Sequence, residues 1–180
     1  IQGKIGIEKE YFSAAFYDEL QGLLPNATFE AWDEQFDTVR AIKTPEELDI
    51  MKRNADILDE LFLEMFQSIR VGEKEKDIQD RLIYGALQRG AAAKLSGGIL
   101  QAGQEGFVVH SRTNNPIEAG QILCTDYTIS IDGYNANQSR VAVVGPPSSE
   151  QKEIYGKIRD IHRRCVEELF RPGTRGCDIF

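Results

Sequence analysis

The chain has 180 residues, 41% of them hydrophobic and 28% charged, with a formal net charge of −8. This composition is that of a folded globular protein and excludes a fibre or a disordered tail. The acidic balance argues against the clustered Lys/Arg surface that a nucleic-acid backbone requires, and weakly against anionic membranes.

Residues 4–8 open the chain as a strand-like run, followed by a helical pattern from Tyr11 to Leu24 that Pro25 ends. A second short strand is expected around Ala27–Trp32, then a connector over Thr38–Lys43. Residues 1–40 thus read as the C-terminal remnant of an N-terminal α/β domain, and 41–180 as a second domain. Thr44-Pro-Glu-Glu47 starts that domain as a capping box, with Thr at the N-cap, Pro at the first helical position and Glu at the third. Leu48, Met51, Ala55, Leu58, Phe62, Met65 and Ile69 then recur at steps of three and four, one apolar stripe facing a core. Asp59, Glu60 and Glu64 interrupt the stretch Ile57–Phe66, so it cannot span a bilayer.

Gly72 ends this helix, Asp77–Gln88 forms the next, and Gly90 ends that one. Residues 95–109 read as strand and loop. Two alternating runs, Ile122–Ile131 and Tyr134–Val144, flank Asp132-Gly133, which predicts a hairpin with a two-residue turn. After Pro146-Pro147, Ser148 and Gln151 cap a third helix with the stripe Ile154, Ile158, Ile161, Cys165 and Leu169. Cys124, Cys165 and Cys177 lack C-x-x-C spacing and are expected to be buried, reduced thiols in a cytoplasmic protein. The class is α+β, an antiparallel sheet with helices on one face.

One pattern occurs twice. Arg70–Ile78 and Arg171–Ile179 both read R-x-G-x-x-x-x-D-I, each after a long amphipathic helix, and the Asp is placed to cap the next helix. The chain therefore reads as about one half of a pseudo-symmetric domain.

The hairpin locates the chemistry. With Asp132 and Gly133 at the turn, Asp126 lies opposite Ser139 and Asn137 is its diagonal neighbour on the same face. Two carboxylates so placed would make a site for hard cations; here the second is an amide. The alternative is that Asp126 is a satisfied polar group and Asn137 an ordinary sheet residue. His110 follows Gly106-Phe-Val-Val and is expected at a strand end, in a catalytic or a structural role. His162 belongs to a charged helix face, and Arg140 is a structural partner for Asp126 or Asp132. The glycines 97, 98, 103 and 106 have no G-x-G-x-x-G spacing, so no nucleotide site is assigned.

These residues resemble the pita-bread family of aminopeptidase P, prolidase, methionine aminopeptidase and creatinase. The matching pieces are Val39-Arg40-x-Ile42-Lys43-x-x-Glu46-Glu47, His110 ahead of an Asn-Pro loop, Gly120-Gln-Ile-Leu-Cys-Thr-Asp126, and Gly133-Tyr134-x-x-Asn137-x-Ser139-Arg140 before Val144-Gly145. The family places a second Asp eleven residues after the first, where this chain has Asn137.

The resemblance implies a half pita-bread fold and a C–N bond hydrolase, an Xaa-Pro aminopeptidase or dipeptidase, acting on a small peptide as a homodimer. It maps metal ligands onto Asp126 and Asn137, a substrate-binding or proton-transferring role onto His110, and a divalent cofactor (manganese, cobalt or zinc) that the missing carboxylate puts in question. Three further ligands of the family lie beyond Phe180, so the chain alone is expected to be inactive. The rival readings are a metal-independent, creatinase-like amidinohydrolase and a peptidase-like binding module without catalysis.

Overall fold

The computed structural model describes residues 1–94, 96–103 and 114–179. The chain separates into two compact units, Ile1–Ile50 and Met51–Phe180.

In the first unit β1 (Gly3–Ile7) and β2 (Ala27–Ala31) pair in parallel, with Ile5 opposite Phe29. Parallel strands need a crossover, and α1 (Ala14–Leu23) supplies it. Ser13 starts that helix, its hydroxyl accepting from the Phe16 amide at 3.2 Å. Buried Phe29 meets the edge of the Tyr17 ring. The expected connector before Lys43 is instead largely a helix, α2 (Asp33–Ala41). Its signal was electrostatic rather than periodic: Asp33 and Glu34 stand in the first turn and Arg40 in the last, matching the helix dipole.

α3 (Pro45–Ser68) begins with the expected box, the Thr44 amide donating to Glu47 Oε2 at 2.6 Å and the Glu47 amide to Thr44 Oγ1 at 3.3 Å. Its buried residues are Asn54, Leu58, Leu61, Phe62 and Met65. Leu48, expected on the apolar stripe, is exposed. α4 (Glu75–Gln88) starts two residues earlier than Asp77, which sits in the first turn rather than at the cap. The start is set by pairing of the preceding turn. Gly72, in the left-handed region at φ 89°, donates to the Ile117 carbonyl, and Lys74 bridges to Pro116.

The sheet of the second unit is antiparallel, in the order β3 (Gly97–Ala102), β4 (Ile122–Ile131), β5 (Tyr134–Val143). α3 and α4 contribute Leu58, Phe62, Met65, Ile78 and Leu82 to one core with Leu123, Tyr127 and Ile129 of β4. Each large side chain fully buried there stabilises the unit by roughly 1.5–3 kcal/mol. Gly98 permits the β3–β4 approach, since a Cβ there would lie 2.0 Å from the Asp126 carbonyl oxygen.

α5 (Ser149–Arg164) carries the expected capping box of Ser148 and Gln151, and runs into a π-turn at Cys165–Leu169. None of the described residues of α5 is buried. The thiols are unpaired, but Cys177 is exposed and Cys124 and Cys165 are only half-buried, which corrects the expectation of burial.

Candidate functional site

The β4–β5 hairpin has the predicted turn. Asp132 and Gly133 both take positive φ, 53° and 80°, the condition for a two-residue turn that follows the strand twist. Two ties from α3 fasten it. Asn54, fully buried, donates its amide to the carbonyls of Ile131 and Tyr134 at 3.1 and 2.9 Å, and Arg53 pairs with Asp132 at 2.5 Å.

With the turn fastened, strand alternation sorts the side chains. Leu123, Thr125, Tyr127 and Ile129 are buried. On β5 the same face carries Gln138, which donates to the Ala55 carbonyl, and Arg140, which pairs with Asp59 at 2.6 Å and lies over the Phe62 ring. Arg140 is therefore not a partner of Asp126 or Asp132: it stands opposite Thr125 in the register, on the helix side. Burial holds the Tyr127 phenol up at about 12 and raises the Cys124 thiol.

The opposite face carries Asp126, Thr128, Asn137 and Ser139. Asp126 is directly opposite Ser139 and Thr128 directly opposite Asn137, as the turn position requires. Asp126 and Asn137 do converge. The Asn137 amide nitrogen donates to Asp126 Oδ1 at 2.9 Å and to Thr128 Oγ1 at 2.9 Å. Sequence reasoning missed Thr128, although the register that places Asn137 names Thr128 as its partner. His110 lies outside the described residues. The α4 start holds residues on either side of it in sequence: Glu75 Oε1 accepts from the Ala102 amide at 2.7 Å, and the Glu75 amide donates to the Asn115 carbonyl at 3.2 Å. His162 is exposed on α5.

The sequence model of metallopeptidase family M24 matches residues 49–180. The chain belongs to this family. It is 32% identical, over 93% of its length, to an Xaa-Pro dipeptidase of Lactobacillus helveticus, of which it covers 46%. Among solved structures it resembles an X-Pro aminopeptidase from Thermotoga maritima with a TM-score of 0.81 at 25% identity, covering 92% of this chain and 47% of that one. A Pseudomonas aeruginosa aminopeptidase superposes with a TM-score of 0.86 at 22% identity, covering 98% and 43%, and supports the fold. The architecture is thus the pita-bread fold of prolidases and aminopeptidases P, and the chain spans about half the length of the relatives it matches.

The family name implies a divalent metal, so the residues present must be tested against one. A hard cation takes oxygen ligands at roughly 2.0–2.6 Å, and a bridged pair of ions needs carboxylates to offset its charge. Here the second residue is a neutral amide whose NH₂ group faces Asp126; its one oxygen could ligate an ion but could neither bridge two nor offset their charge. Among the described residues no group of three His, Cys, Asp or Glu could hold an ion. Asp126 and Asn137 do not fit a bridged dinuclear site.

Proposed function

We propose that the chain is part of a hydrolase that cleaves the peptide bond preceding proline, an Xaa-Pro dipeptidase or aminopeptidase. The supporting observation is family membership over 49–180 together with Asp126 and residue 137 meeting on the open face of the sheet. Relatives along almost the whole chain carry the name Xaa-Pro dipeptidase.

In this reading the open face, with Asp126, Asn137, Thr128 and Ser139, borders the bound peptide. The leaving nitrogen of an Xaa-Pro bond has no N–H and must gain a proton to depart. His110 is the proposed group that transfers it or steadies the tetrahedral oxyanion. Of the pair, only Asp126 is a carboxylate, so residues 126 and 137 supply no bridged site for the manganese, cobalt or zinc that the family name implies. A cytoplasmic homodimer completes the proposal. Among the described residues, no helix is long and apolar enough to cross a membrane.

The test is hydrolysis of Xaa-Pro dipeptides and of longer peptides with Pro at the second position, by the whole protein that carries this chain, with Xaa-Ala peptides as control. Xaa-Pro cleavage is expected, and His110→Ala should lower turnover by about 10²–10⁴-fold without lowering the melting temperature. Equal cleavage of Xaa-Ala peptides, or none of either, would overturn the reading. Creatine hydrolysis in place of peptide cleavage would establish the amidinohydrolase instead, a reading that the Asn137 amide favours.

A further inference from the structure

The Asn137 side chain stands where a cation would be needed if residue 137 were acidic. Its nitrogen is 2.9 Å from Asp126 Oδ1 and 2.9 Å from Thr128 Oγ1, so one NH₂ group satisfies two acceptors. The orientation follows from chemistry as well as from geometry. Turned by 180°, the amide would present its oxygen to a carboxylate oxygen, placing two acceptors face to face with nothing to donate between them. An amide facing a carboxylate with no ion between them therefore points its nitrogen inward and its oxygen away, so residue 137 satisfies Asp126 as a hydrogen-bond donor.

The charge count leads the same way. Two carboxylates at this separation repel, and one must be protonated or both must share a cation. With Asn137 the pair carries a single negative charge, already hydrogen-bonded. The nearby guanidinium does not alter this, because Arg140 is engaged with Asp59 on the helix side.

We infer that the Asp126–Asn137–Thr128 cluster is a cation-independent element, in which the Asn137 amide does for Asp126 what a shared divalent ion would do for two carboxylates. The hairpin then holds its carboxylate in place with no metal bound, and chelation leaves it unchanged. This goes beyond the peptidase reading, because it concerns how the open face is kept in shape and holds whichever C–N bond the whole protein cleaves.

The experiment compares thermal melts of the whole protein that carries this chain, in chelator and in about 1 mM manganese, for the parent sequence, Asn137→Asp, and the exchanged pair Asp126→Asn/Asn137→Asp. The parent melt should be the same in both conditions to within about 1 °C, and calorimetry should find no saturable manganese binding. Asn137→Asp should melt roughly 2–4 °C lower in chelator and regain the difference in manganese, since it recreates two facing carboxylates. The exchanged pair restores one carboxylate and one amide, so it should melt as the parent does and ignore manganese. If Asn137→Asp does not fold, the exchanged pair decides by itself.

A parent melt that rises in manganese, or saturable binding that Asp126→Asn abolishes, would overturn the inference. So would an exchanged pair that melts as low as Asn137→Asp, which would make side-chain shape and not charge the cause. Loss of Xaa-Pro cleavage in the whole protein would leave all three melts as expected, so the two readings fail separately.

Discussion

α3 and α5 obey the same local rules and end in different environments. Each starts from a complete capping box, Thr44 with Glu47 and Ser148 with Gln151. Each carries an apolar stripe and leads to a copy of the R-x-G-x-x-x-x-D-I pattern. On α3 the stripe is core: Leu58, Phe62 and Met65 pack in one cluster with β4. On α5 the matching Ile154, Ile158 and Ile161 are exposed. The two copies of the pattern differ in the same way, Ile78 being fully buried and Ile179 half-exposed. Capping and periodicity are properties of ten or so neighbouring residues, whereas burial needs a surface that another part of the chain must bring.

The largest break in this comparison comes from truncating one residue of each stripe. Leu58 is 0% exposed and Ile158 60%. Leu58→Ala should cost about 2–5 kcal/mol in urea unfolding, and Ile158→Ala should stay within about 0.5 kcal/mol. Equal losses would mean that the α5 stripe is covered in solution.

Caps should separate the helices less. Thr44→Ala and Ser148→Ala each remove one hydroxyl acceptor and should each weaken their helix by about 0.5–2 kcal/mol. Only the first should move the cooperative unfolding midpoint, because no described residue of α5 is buried in the core. For Ser148→Ala the loss should appear as faster amide exchange confined to the first turn of α5.

The smallest effect is acid dependence. The Arg81 guanidinium, 2.9 and 3.0 Å from the Glu73 oxygens, holds that carboxyl below its ordinary value of 4.5, against the opposing pull of burial. A carboxyl lowered on folding stabilises the folded state above its unfolded value and loses that contribution as pH falls through the folded one. Acid melts of the parent should therefore steepen below pH 4.5, and Glu73→Gln should flatten them. In the second copy Arg175 likewise lowers Asp178, but its short helical turn has no buried residue. Asp178→Asn should leave the acid melts unchanged, and a change as large as that of Glu73→Gln would show that the second copy is packed.

Features that depend on near neighbours were legible in the residues alone: the two capping boxes, the Asp132-Gly133 turn, the register set by that turn, and hence the meeting of Asp126 with Asn137. Strand alternation is strict, so one turn position settles every pair in the hairpin. The same register put Arg140 on the helix side, but only packing revealed its partners, because Asp59 and Phe62 are distant in sequence. Asp77 looked like a cap, yet pairing of Lys74 with Pro116 began α4 two residues earlier. Tertiary structure also decided which of two similar amphipathic helices became core, and it alone revealed Thr128 as the second acceptor of the Asn137 amide. That last point depends on side-chain direction across two strands: the residue letters place three polar groups on one face, but their distances determine that one amide satisfies two acceptors.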